Sequence, residues 1–98
     1  MHIVRDIFQL HFGAYKDAKV LLDEAYSRGL FPEAKSSRVL SDFTGDSYRI
    51  VFEEGYDTLG EYEKALEAGL SKAGWKKWYE KFRQFVNFSH REILKQVM

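Results

Sequence analysis

The fold turns on His2-Ile3-Val4-Arg5-Asp6-Ile7-Phe8-Gln9-Leu10-His11-Phe12-Gly13. Val4, Phe8, Leu10 and Phe12 fall on one side of a period-2 repeat, and Ile3, Arg5, Ile7, Gln9 and His11 on the other, which predicts a strand over residues 2–12. The first side is richer in apolar bulk and should meet whatever covers the sheet. Asp6 lies on that side, between Val4 and Phe8, so its carboxylate needs a partner or a raised pKa. Arg91, far along the chain, is the candidate partner, and a structural ion pair outweighs a catalytic acid.

Beyond Gly13 the period changes. Ala18, Leu21, Leu22, Ala25 and Tyr26 recur at spacings of three and four, predicting a helix over 14–28, with Gly29 where a left-handed C-terminal cap belongs. Residues 37–43 and 47–53 are two β-rich runs around Thr44-Gly45-Asp46, a tight-turn composition, and predict a hairpin. Asp57-Thr58-Leu59-Gly60-Glu61 opens a second helix with a capping-box spacing, and Leu59, Tyr62, Leu66 and Leu70 should form its buried stripe. After Gly74, residues Trp75, Trp78, Tyr79, Phe82, Phe85 and Val86 form a third, aromatic stripe that should run to about Asn87. Residues 88–98 then supply a last strand.

Composition excludes several classes. Lys+Arg and Asp+Glu stand at 15 each in 98 residues, so no electrostatic case exists for nucleic acid or an anionic membrane. The absence of cysteine rules out disulfides, thiol nucleophiles and zinc ribbons. A charged, alternating start and the lack of any apolar run near ~18 residues fit a cytoplasmic protein with no membrane span. One domain over residues 1–98 suits the length, with a folded surface of roughly 5,800 Å² by size scaling.

Strand, helix, hairpin, helix pair, strand is the βαββαβ order of an α+β, ferredoxin-like fold, here with a split second helix. Right-handed crossovers put both helical connections on one side of a four-stranded antiparallel sheet and leave the other side bare. Aliphatics such as Ile7 on that bare face call for cover, and a second copy packed sheet to sheet is the economical one. A homodimer through the sheet face is the expected assembly. Whether Arg38, Leu40 and Asp42 share that face depends on the hairpin loop, and the facing of the last strand is open as well.

Strand one with Arg5 and Gly13, the Leu40-Ser41-Asp42-Phe43-Thr44-Gly45 hairpin, Glu61-Tyr62-Glu63, the aromatic helix from Trp75 to Phe82 and the closing Arg91-Glu92-Ile93 resemble the NIPSNAP-like branch of the dimeric α/β-barrel superfamily. The resemblance spans nearly the whole chain in order. It implies a ferredoxin-like, dimeric α/β barrel related to the antibiotic-biosynthesis monooxygenases. It does not carry over either known chemistry. The helix histidine of the haem-degrading relatives is missing from the predicted helices, and Asn87 is the only asparagine from which the monooxygenases' Asn, Trp and His set could start.

His11 is the candidate catalytic base, since histidine titrates near neutrality and shares its predicted face with Arg5 and Gln9. A solvated or hydrogen-bonded strand-end histidine is the more frequent outcome. Arg5, Gln9, Arg49 and Glu53 are candidate ligand-binding residues on the sheet, Arg5 or Arg49 holding an anionic oxygen. Trp75 and Trp78 can form an aromatic wall for a flat ligand, although such stripes are more often core. The histidine spacings offer no metal set, and no cofactor is expected. Three functions compete: a homodimeric barrel holding a small organic ligand between sheet and helices, a cofactor-independent monooxygenase, isomerase or cyclase acting on a small aromatic or polyketide-like substrate, and a non-catalytic structural or interaction module.

Overall fold

A computed structural model describes residues 1–98. Strand β1 (His2–Leu10) is followed by helix α1 (Tyr15–Ser27), then β2 (Ser36–Ser41), β3 (Arg49–Tyr56), α2 (Leu59–Leu70), α3 (Trp75–Phe82), a single 3-10 turn (Arg83–Phe85) and β4 (Val86–Lys95). The four strands form one antiparallel sheet in the order β2-β3-β1-β4. This is the ferredoxin-like βαββαβ arrangement, with the second helical crossover split at Gly74. Gly74 sits at φ 86, a left-handed value that breaks α2 from α3 at little steric cost for glycine. Gly29 takes φ 65 just past α1, at the predicted cap position.

The core lies between one sheet face and the pair α1 and α3. Ala18, Leu22 and Ala25 face the core from α1, the two alanines letting α1 come close to α3, and the large rings of Trp78 and Phe82 fill it from α3. They meet Leu10, Ile50 and half-buried Phe8 and Phe52. Trp78 is 2% exposed, its ring stacks on Phe82 at 5.1 Å, and its indole Nε1 donates to the Leu21 carbonyl at 2.7 Å. Tyr26, assigned by spacing to the α1 stripe, is exposed instead, at the helix end beside the edge strand β2, which is itself wholly exposed.

Several element boundaries differ from the sequence reading. β1 stops at Leu10, where a register shift between Gln9 and Leu10 ends regular pairing with β4, and Phe12 stands exposed against Tyr48. The hairpin loop spans residues 42–48 rather than a tight turn. Arg49 braces it, its Nη2 donating to Asp42 Oδ1 at 2.8 Å, and Gln9 Nε2 donates to the Ser47 carbonyl at 2.8 Å. The third helix gives way to β4 at Val86, although Phe85 and Val86 continue its helical spacing.

The registers settle which residues share the bare face. Arg5 stands opposite Glu53 and Glu92, Ile7 opposite Val51 and His90, and Leu40 opposite Val51. Arg38, Glu53, Arg5 and Glu92 thus form a row of alternating charge across all four strands, with Arg38–Glu53 at 2.6 Å, Arg5–Glu53 at 3.5 Å and Arg5–Glu92 at 3.1 Å. Their long side chains already screen the aliphatics beside them, so Ile7 and Val51 are buried within a single chain. Leu40, Phe88 and Leu94 remain exposed there. The chain's surface is 6797 Å², well above the roughly 5,800 Å² expected for a compact monomer of its mass. No helix is long and apolar enough to cross a membrane.

Candidate functional site

Helix α2 explains where a site forms. Thr58 Oγ1 accepts from the Glu61 amide at 3.1 Å and starts the helix as its sequence predicts, but the apolar stripe that follows is not packed away. Leu59 and Leu70 are exposed, Tyr62 and Leu66 are half-buried, and Gly69 is the one buried residue of the helix. From Tyr62 through Leu66 and Gly69 to Leu70 the stripe roofs a cavity of about 250 Å³ between α2, α3 and the sheet, instead of joining the core below it. The floor is Phe8 and Phe52, and α3 supplies Trp75, Trp78, Tyr79 and Phe82 along one wall. Trp75 stacks between Trp78 and Tyr79, at 5.3 Å and 5.7 Å, so the wall is a continuous aromatic surface.

One end of this apolar chamber is polar. β1 contributes Asp6, β3 contributes Glu54 and Tyr56, α2 contributes Tyr62, and β4 contributes Arg91. Asp6 and Arg91 face each other across the β1–β4 pairing and form the expected ion pair. Arg91 Nη1 also donates to the Tyr62 hydroxyl at 2.6 Å, with its guanidinium 5.8 Å from that ring's centre. The Tyr56 hydroxyl donates to Glu54 Oε2 at 2.5 Å, and the two tyrosine rings lie 5.4 Å apart. Glu54 is 9% exposed and has no cationic side chain within salt-bridge distance. Burial pushes its carboxyl above the usual carboxylate range, and the hydrogen bond from Tyr56 offsets part of that rise. Burial likewise raises the hydroxyls of Tyr56 and Tyr62, and both stay neutral at ordinary pH.

The structure divides the residues singled out in the sequence between separate places. Trp75 and Trp78 both line the cavity, and Trp78 belongs to the core as well. Arg5, Gln9, Arg49 and Glu53 lie on the opposite, bare face of the sheet, because odd-numbered positions of β1 and β3 point away from the helices. There Arg5 and Glu53 belong to the charged row, and Gln9 and Arg49 hold the hairpin loop. His11 is exposed beyond the end of β1, its amide donating to the Phe85 carbonyl at 2.9 Å, and it joins neither group. The spacing places no His, Cys, Asp or Glu set able to hold a metal ion.

Sequence reading missed Glu54, Tyr56 and Tyr62 as a polar set. Glu53-Glu54-Gly55 reads as the end of a strand, whereas β3 continues to Tyr56. The signal was present: Ile50, Phe52, Glu54 and Tyr56 extend one alternating face, and a strand one turn of alternation longer would have carried both polar groups onto the helix side.

No family model matches the sequence, and no curated protein matches it. Solved structures do. An uncharacterised NIPSNAP domain protein from Burkholderia xenovorans superposes with a TM-score of 0.84 at 11% identity, over 99% of this chain and 95% of that one. A NIPSNAP family protein from Agrobacterium tumefaciens gives 0.82 at 15% identity, over 99% and 94%. A putative antibiotic biosynthesis monooxygenase from Nitrosomonas europaea gives 0.76 at 15% identity over the full length of both. Identities this low speak for architecture alone. The chain therefore has the ferredoxin-like fold of NIPSNAP family proteins and of antibiotic biosynthesis monooxygenase-like proteins.

Proposed function

We propose that this protein binds a small organic molecule in the cavity between its sheet and its helices, and does so as a homodimer joined through the bare sheet face. The observation that carries the first part is the unburied apolar stripe of α2, held over an aromatic wall with a polar group of five side chains at one end. Ligand sites are usually apolar chambers with a few convergent polar groups, and pockets for drug-sized ligands run from ~300 Å³ upward. At about 250 Å³ this one suits a molecule of one or two rings. Thermal-shift screening of one- and two-ring compounds against the wild type and Leu66→Trp tests it. Stabilising hits that the filled variant loses support the reading; no hit at millimolar concentration defeats it.

The dimer is supported by the surplus surface of a single chain, roughly 1,000 Å² over the expectation for its mass and close to the ~800 Å² each partner buries in a standard interface. Arg5 Nε, buried without a hydrogen bond, and exposed Leu40, Phe88 and Leu94 lie on the face concerned.

A second reading, a cofactor-independent enzyme on a small aromatic or polyketide-like substrate, is favoured by Glu54. A carboxyl raised by burial beside a tyrosine hydroxyl is suited to take and return a proton. In that reading Glu54 takes the role that the sequence suggested for His11.

A further inference from the structure

The charges around the cavity do not balance. Asp6 and Arg91 neutralise one another, and Arg91 spends a further donor on Tyr62. Glu54 remains, nine-tenths buried, with a neutral hydroxyl as its only side-chain hydrogen-bond partner. An ionised carboxylate in such a place is costly without a countercharge. The protein's one cation there, Arg91, is held by Asp6 and Tyr62 and eases the charge on Glu54 only from a distance, while the carboxylate borders a chamber open to a ligand. The faces around that chamber are aromatic, and aromatic faces attract cations and offer nothing to anions. Tyr62 already carries the Arg91 guanidinium over its ring, so the local field accommodates positive charge.

We propose that the cavity is a site for a small aromatic or aliphatic amine, bound as its ammonium with the charged nitrogen between Glu54 and the tyrosine rings and its apolar body along the α3 wall. This rests on the proposal that the cavity binds a small organic molecule, and it names the chemistry of the head group. The ligand would bring the one charge that the polar end lacks. It would also remove the penalty that burial places on the Glu54 carboxylate, since an adjacent cation favours the ionised form. Carboxylic acids, by contrast, would set a second negative charge beside Glu54, with Arg91 already engaged by Asp6.

Three probes of one shape separate the possibilities: 3-phenylpropylamine, 3-phenylpropanol and 3-phenylpropionate, titrated into the wild type by calorimetry at neutral pH. The amine should bind at least about tenfold more tightly than the alcohol, and the propionate should be weakest, as a charge-assisted contact outweighs a neutral one. Glu54→Gln, close in shape, should cut the amine's affinity by about tenfold or more and leave the alcohol's within about twofold. Tyr56→Phe, which keeps the carboxylate but removes its hydroxyl partner, should preserve the preference for the amine. Should Glu54→Gln fail to fold, the wild-type ranking decides alone. Equal binding of amine and alcohol overturns the amine assignment while leaving the cavity a binding site. The propionate binding best overturns it in favour of Arg91 as the anchor. None of the three binding removes the cavity reading and this assignment together.

Discussion

Trp78→Ala tests the packing that forms the cavity wall. The indole is 2% exposed, stacks on Phe82 at 5.1 Å with its plane tilted by only 10°, and meets Phe31 edge-on at 6.5 Å. Removing a buried tryptophan costs ~3–5 kcal/mol, transfer and cavity terms together. The lost indole N–H adds little, because Leu21 sits inside α1, where helical bonding already engages its carbonyl. The value should fall toward the lower end of that range, since the void would open into the existing chamber and relax there. Trp78→Phe, which keeps a ring in the stack, should cost ~1–2 kcal/mol. Small domains have only ~5–15 kcal/mol in total, so the alanine variant should unfold at visibly lower urea while keeping the wild-type slope. Far-ultraviolet circular dichroism is the readout, tryptophan emission being altered by the substitution itself. A loss under ~1 kcal/mol for the alanine variant would refute the placement of this ring in the core.

Other outcomes follow from the polar end and the bare face. Because the folded protein holds the Glu54 carboxyl above its unfolded value, the native state binds that proton more tightly, and wild-type stability falls as pH rises from the unfolded value toward the folded one. Glu54→Gln lacks that loss, so the stability difference between the two should open in the variant's favour from about pH 4.5 upward; a difference flat between about pH 4 and 8 contradicts it. Arg91→Met should leave Asp6 without its cation and cost about 1–2 kcal/mol, less than a fully buried pair because the arginine side chain is 45% exposed. Differential scanning calorimetry that finds no change would show the pair to be incidental. For the assembly, Phe88→Lys, at a residue exposed on the bare face of the single chain, should turn a sedimenting dimer into monomer, and a wild type that sediments at 11.5 kDa at micromolar concentration sinks the dimer proposal.

Where local pattern and tertiary context agreed, the sequence was enough. The period-2 run of β1 put Val4 and Phe8 on the helix side, and the same parity set Asp6 against Arg91 on a neighbouring strand. Thr58 and Gly29 acted as the caps their types suggest. The errors arose where two patterns overlapped or where a long-range fact decided. Phe85 and Val86 satisfy a helical stripe as well as a strand, and pairing of Leu10 with Val86 chose the strand. The stripe of α2 has the spacing of a buried face, but nothing local records that the sheet below it would be floored by rings and leave a gap. His11 lost its place on the sheet because the register with β4 shifts between Gln9 and Leu10 and pairing stops at Leu10.

The two tryptophans have a practical consequence. Trp75 and Trp78 are the only two in the chain, lie 5.3 Å apart with their rings inclined by 29°, and both border the cavity. Every photon of indole emission therefore originates at the cavity wall, and the molecule carries its own optical gauge of what enters. The close ring pair should also split its electronic transitions, leaving a signed doublet in the circular dichroism spectrum that survives only while α3 stays wound and both rings remain in register. Occupancy and the integrity of that wall can thus be followed in unlabelled protein, in the same cuvette.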